Sequence, residues 1–323
     1  MLYIMTNNST CMEAQSFVAP ALIPMLLLDV ILGLPGNILA LWFLGFRASW
    51  KSANIYLLNL VLADILLLIA LPFHIDSLLR GRWIFGVPFC QINLFMLSVN
   101  QSASIAFMTV LVVHRFYIIV HPHHPVSHLN IRSLVMVACG VWIVVMTLRL
   151  PLLVTRLLRP TENSSVLLCQ NIDIWTDTGA GMKFHNSLYM IEFAIAFLVV
   201  IICSVRIFYC LREKKNLRKH RRVKRTFYVL LTVVIMLTFC FLPNYITGFV
   251  SFLRDVSTCS SYLVLSQVFS VSLCFVFSNS ALDTVLYTLA SAYFRNTIKE
   301  ASNSTGFTKF RISDKQSRSP RRS

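Results

Sequence analysis

Ile105-Ala106-Phe107-Met108-Thr109-Val110-Leu111-Val112-Val113-His114-Arg115-Phe116 closes a long apolar run. Arg115 therefore sits where hydrocarbon would end, and a charge that close to lipid is expensive and rarely accidental. Cys90 stands near the opposite end of the same run, roughly one membrane thickness away. Cys169 lies in a polar segment between later apolar runs. Together these residues suggest a stapled outer face and a working inner face.

Composition sets the class. The chain has 323 residues, of which 56% are apolar and 13% charged, far from a soluble globular average. A spanning helix needs about 20 mostly apolar residues. Seven stretches reach that length: 20–46, 53–79, 87–120, 131–154, 184–211, 226–253 and 260–288. A soluble core of this size would be cut into shorter amphipathic pieces. The expected fold is an all-α membrane protein, a seven-transmembrane helix bundle with a short amphipathic helix after span 7.

Lysine and arginine orient it. The tail up to Ala19 has neither, the segment from Arg206 to Arg225 has ten, and the tail after Tyr287 has eight. With Arg47, Lys51, Arg115 and Arg132, one side holds 22 of the 29 basic residues. By the positive-inside rule that side is cytoplasmic. This predicts an extracellular tail over 1–19, a receptor-sized bundle over 20–288, a membrane-surface helix over 289–300 and a disordered basic tail over 301–323. No cleavable signal peptide is evident, so span 1 is expected to act as its own insertion signal. The sequons at Asn7, Asn8 and Asn163 then face outside as glycosylation candidates, whereas those at Asn303 and Asn100 do not.

Of nine cysteines, Cys11, Cys90, Cys169 and Cys259 lie at or beyond the outer edge, where oxidation is permitted. Four cysteines allow three connectivities, of which Cys90–Cys169 with Cys11–Cys259 is the favoured one. The other five sit in spans as small apolar fillers.

The spans also carry polar residues that simple anchors do not need. Asn37 lies in span 1 and Asp64 in span 2; Asn100 and Ser104 share a face of span 3; Asn279, Ser280 and Asp283 cluster in span 7. Two carboxylates at membrane depth are costly without a shared partner or a watery cavity. Asp64, Asn100, Ser104, Asn279 and Asp283 offer oxygens for a sodium ion or a shared proton. The alternative is a hydrogen-bonded packing network without an ion.

The run of motifs is similar to one family. Gly36-Asn37, Leu60-x-x-Ala63-Asp64, Cys90, His114-Arg115-Phe116, Trp142, Cys240-Phe241-Leu242-Pro243 and Asp283-x-x-x-Tyr287, one set per span, resemble a rhodopsin-like (class A) G protein-coupled receptor. Within that class, Trp50-Lys51, Leu71-Pro72-Phe73, Trp83-x-Phe85-Gly86, His121-Pro122-His123-His124 and His185 with Glu192-Phe193 resemble the hydroxycarboxylic acid and oxoeicosanoid receptor group. Cys11 and Cys259 resemble that group's additional outer bridge. The resemblance implies a plasma-membrane receptor coupled to a heterotrimeric G protein of the inhibitory Gi class, with arrestin and a receptor kinase as further partners. It implies His114, Arg115, Phe116, Pro243 and Tyr287 as coupling and switch residues. It implies no cofactor beyond an allosteric sodium ion, and no enzymatic activity.

Some positions depart from the family pattern. His114 replaces the usual aspartate before the span 3 arginine, Thr284 replaces the proline after the span 7 aspartate, and Ala196 stands where span 5 often has proline. The resembled acid receptors hold a ligand carboxylate with a span 3 arginine, and the matching residue here is Gln101. A neutral amide can hydrogen-bond a carboxylate but cannot neutralise it. Arg149, in the outer half of span 4, is the next candidate anchor, with Arg156 beyond it. The alternatives for these are snorkelling to headgroups for Arg156 and a backbone carbonyl or water for Arg149. The rest of the candidate pocket, Leu97, Gln101, His185, Phe241, Leu273 and Phe277, is mostly apolar and suits a fatty-acid tail better than lactate.

Other chemistries fit poorly. His121, His123, His124 and His128 could bind a metal by residue type, but a loop of solvated turn histidines explains them as well. No phosphate loop or metalloprotease motif is present. The basic stretch Arg218–Arg225 suits anionic membrane lipid rather than nucleic acid. A transporter or channel would call for internal repeats or a charged path across, and an orphan receptor for another small ligand or a peptide remains within the class.

Overall fold

The computed structural model describes residues 18–47, 52–154, 158–161, 164–169, 180–213, 221–253 and 259–290. Seven of its helices are long and apolar enough to cross a membrane. Span 1 is Ala19–Trp42 with a wider π turn over Phe43–Arg47, span 2 is Ser52–Arg80 and span 3 is Val87–Val120. Span 4 is Ile131–Arg149, continued by a short helix Pro151–Val154. Span 5 is Ala180–Glu213, span 6 runs from Arg221 to Leu253, and span 7 is Cys259–Ala290. The Cys11 half of one expected bridge, the sequons at Asn7, Asn8 and Asn163, Arg156, and nearly all of 289–323 lie outside the described residues, as do the side chains of His185 and Cys259.

Local chemistry sets several helix ends. Pro20 and Pro88 stand in the first turns of spans 1 and 3, where a missing N–H breaks no bond. Gly86 precedes span 3 at φ 81°, a conformation that favours glycine, and its carbonyl accepts from Trp83 Nε1 at 2.8 Å. Asn130 starts span 4 by accepting from the Ser133 amide at 2.8 Å. In span 6 a π turn over Leu237–Phe241 leads directly into Pro243. The proline removes one backbone bond and the π turn shifts the register, so the helix has a built-in bend there.

Lipid-facing and inward-facing surfaces separate cleanly. Ile191, Ile195, Leu198 and Ile202 make an exposed apolar stripe along span 5 at helical spacing. Such a stripe would be a liability in water and is the surface a bilayer covers. Spans 1 and 7 approach closely because Gly36 has no side chain: a Cβ there would lie 2.6 Å from Thr284 Oγ1.

The segment after span 4 adds a two-stranded antiparallel hairpin, β1 (Leu158–Thr161) and β2 (Ser164–Cys169). Its last residue, Cys169, is disulfide-bonded to Cys90, with Cα atoms 5.7 Å apart. The hairpin is thereby tied to the start of span 3. The five cysteines expected as fillers, Cys139, Cys203, Cys210, Cys240 and Cys274, are free thiols.

Candidate functional site

Among the described residues, three separate groups of buried polar residues lie inside the bundle. The first is at the hairpin end. Arg149 closes the main helix of span 4 and is fully buried. Its Nη2 donates to Glu192 Oε2 on span 5 and to Ser102 Oγ on span 3; its Nε also donates to Ser102 Oγ, at 2.7 Å. Ser102 in turn donates to Glu192 Oε2 at 3.1 Å. The guanidinium lies 5.8 Å from the centre of the Tyr189 ring. A carboxylate is therefore one partner of this arginine. Removing one member of such a buried pair costs about 3–5 kcal/mol, because the other charge stays behind.

From there a belt of neutral groups crosses to spans 6 and 7. Gln101 Nε2 donates to the Tyr189 hydroxyl at 2.6 Å, and Asn244 Nδ2 approaches the same oxygen at 3.3 Å. Ser272 Oγ donates to Asn244 Oδ1 at 3.2 Å and contacts Thr247 Oγ1 at 3.1 Å. Asn244 directly follows Pro243, so the belt touches the bend of span 6. The apolar candidates flank it in two clusters. Leu97, Phe277 and half-buried Leu273 pack with Trp83 and the Cys90–Cys169 bridge, while Phe241 is enclosed in the larger core.

The second group joins spans 1, 2, 3 and 7. Asp64 accepts from Asn100 Nδ2 at 3.3 Å and from the Tyr287 hydroxyl at 2.7 Å. Asn279 Nδ2 donates to Asp283 Oδ2 at 2.8 Å, and both Asp64 and Asp283 are fully buried. Two carboxylates buried at membrane depth call for a proton or a cation to offset their charge. Ser104 Oγ, Asn279 Oδ1 and Asp283 Oδ1 are buried with no hydrogen-bond partner among the described residues. Such idle oxygens fit a small hard cation. Tyr287, expected at the inner face, thus points into this group. Asp29 of span 1 was not anticipated; it is buried and accepts from Ser278 Oγ at 3.0 Å.

The third group is at the opposite end. His114 is buried, with its ring edge-on to Tyr56 at 5.7 Å between centroids. Neither His114 Nδ1 nor Arg115 Nε has a hydrogen-bond partner among the described residues, and no described carboxylate pairs with Arg115. Phe116 packs edge-on against Tyr117 and His121. The loop histidines build the turn: His124 Nδ1 accepts from the Val126 amide at 3.3 Å, and His128 Nε2 is 2.9 Å from Pro122 O. Among the described residues no group of three or more His, Cys, Asp or Glu is placed to hold a metal.

Seven spanning helices, a disulfide-tied hairpin over one end, a buried polar group toward that end and an arginine at the other end define a seven-helix receptor. The family described as 7 transmembrane receptor (rhodopsin family) matches residues 36–287, and the chain belongs to it. It is a class A G protein-coupled receptor, not an enzyme. It is similar to human hydroxycarboxylic acid receptor 2, with 34% identity over 296 residues, covering 90% of this chain and 80% of that protein. It is 34% identical to human oxoeicosanoid receptor 1 over 312 residues, covering 96% and 79%. It is 27% identical to the mouse 12-(S)-hydroxy-5,8,10,14-eicosatetraenoic acid receptor over 302 residues, covering 92% and 93%.

Proposed function

We propose that this receptor sits in the plasma membrane with its N-terminus outside and passes the binding of a carboxylic acid, most suitably an oxidised fatty acid, to a Gi-class G protein. The observation that carries the ligand class is Arg149, a buried cation at the outer end of span 4. It offers the positive charge that Gln101 does not. Leu97, Leu273 and Phe277, which pack in one apolar cluster with Trp83 and the disulfide, suit a hydrocarbon tail. The names of the relatives, which include hydroxycarboxylic acid, oxoeicosanoid and hydroxyeicosatetraenoic acid receptors, support the same class.

The ligand shifts a two-state bundle, and the bend at Pro243 lets the inner part of span 6 move to admit the G protein. Arg115 is the inner-face residue that meets it. The serines and threonines of the tail suit a receptor kinase and arrestin. Asp64, Asn100, Ser104, Asn279 and Asp283 are the residues for a sodium ion, which would favour the resting state. The test is G protein dissociation in cells challenged with lactate, 3-hydroxy acids, nicotinic acid and oxidised fatty acids. Activation by the oxidised fatty acids supports the reading. Silence to every acid, with the receptor at the surface, rejects the ligand class.

A further inference from the structure

The two members of the Arg149–Glu192 pair differ in freedom. The Arg149 side chain is 1% exposed and that of Glu192 is 17% exposed. Arg149 is fixed by Ser102 through Nε and Nη2, by Glu192 through Nη2, and by the Tyr189 ring. Glu192 attaches at one point: Oε2 takes both the Arg149 and the Ser102 contacts. A carboxylate that locks an arginine uses both oxygens in a bidentate pair. Here a fixed cation meets a partly exposed carboxylate that is held through one oxygen.

Charge balance then decides how an acid could enter. The pair is neutral as it stands. A second carboxylate added beside it would leave a net negative charge in a buried site, at a cost of several kcal/mol. Replacing Glu192 keeps one cation and one carboxylate inside, with the displaced Glu192 moved to water.

We propose that Glu192 is an exchangeable internal carboxylate: the acid head of the ligand takes its place on Arg149 and Ser102. This rests on the reading of the ligand as an acid. The Ser102 hydroxyl, which now donates to Glu192, donates to the incoming carboxylate instead. The exchange takes place against Tyr189, whose hydroxyl meets Asn244 at the span 6 bend. Head-group exchange thus happens within one residue of the element that must move.

The test separates the site from the ligand. Full-length wild-type receptor, Glu192→Ala, Glu192→Gln and the double variant Arg149→Gln with Glu192→Ala are purified. Their thermal midpoints are read in potassium acetate, in potassium chloride at equal ionic strength, and in acetamide. Acetate should raise the midpoint of Glu192→Ala by about 3 °C or more over both controls, by ligand linkage. It should shift the wild type far less and the double variant not at all. If Glu192→Ala cannot be purified, Glu192→Gln gives the same readout. An acetate effect no larger than that of chloride or acetamide in these single variants overturns the proposal.

A second arm uses 12-(S)-hydroxy-5,8,10,14-eicosatetraenoic acid and its methyl ester in a G protein dissociation assay. Loss of the internal competitor in Glu192→Gln should lower the half-maximal acid concentration by about tenfold, with the ester inactive. An acid potency unchanged or weakened by Glu192→Gln at normal surface level contradicts the exchange. Acetate stabilisation without any fatty-acid response leaves the exchange site standing and rejects the acid-ligand reading instead.

Discussion

The Tyr287 hydroxyl donates to Asp64 Oδ2 at 2.7 Å, tying the inner part of span 7 to the middle of span 2. The same oxygen lies 3.2 Å from Asn37 Oδ1, and Asn37 Nδ2 donates to the Ser280 carbonyl at 3.2 Å. One chain of hydrogen bonds therefore links spans 1, 2 and 7. All four side chains are buried, so no water replaces a lost donor cheaply.

Tyr287→Phe removes that donor and keeps the ring. A buried carboxylate left short of a hydrogen bond costs about 1–3 kcal/mol. The thermal midpoint of the purified receptor should fall by about 2–10 °C. An unchanged midpoint would show that the Asp64–Tyr287 bond contributes nothing to the resting bundle.

The contact between Gly36 and Thr284 makes a paired prediction. Gly36→Ala places a Cβ 2.6 Å from Thr284 Oγ1 and 3.0 Å from its Cγ2. Overpacking of this kind costs about 1–3 kcal/mol. Thr284→Ala removes both atoms, so the double variant should recover most of the lost stability. Additive losses in a double-mutant cycle would mean that the two positions do not meet.

On the proposed sodium site at Asp64 and Asp283, an ion that binds the resting state better should lower agonist affinity. Asp64→Asn should abolish the dependence. Agonist competition curves in sodium and in potassium at equal ionic strength provide the measurement. Affinity indifferent to sodium in the unmutated receptor would leave the packing network as the role of these residues.

His114 bears on resting activity. A histidine is neutral or cationic and never supplies a negative partner to Arg115. Half-buried Val223, near the start of span 6, brings no second carboxylate. Agonist-free G protein activation should be higher than in His114→Asp at equal surface expression. Equal basal levels, or a higher level with aspartate, would contradict this.

Much of this was legible in the sequence, for identifiable reasons. Span length follows from bilayer thickness, so the seven runs are visible as composition. The Asp64 and Asp283 group is visible because intramembrane carboxylates stand out against leucine and valine. By the same signal Asp29 and Glu192 could have been singled out as buried partners, since each is an acid inside an apolar run. In the sequence Glu192 stands out only through the family resemblance. What a one-dimensional reading could not supply is the pairing across spans. Arg149 and Glu192 are 43 residues apart, and only packing of spans 4 and 5 against span 3 brings them together. The π turns at Phe43–Arg47 and Leu237–Phe241 have no composition signal, because they accommodate neighbouring helices. Gln101 and Asn244 look like ordinary span residues until the Tyr189 hydroxyl is found between them.

The most direct test of the central claim, that a buried arginine on span 4 makes this an acid receptor, compares an oxidised fatty acid with its methyl ester on two receptors. G protein dissociation is followed at equal surface expression in the wild type and in Arg149→Gln. The acid should activate the wild type, the ester should not, and Arg149→Gln should lose about 100-fold or more in potency for the acid. Equal potency of acid and ester, or an Arg149→Gln receptor that answers the acid as the wild type does, would contradict the account.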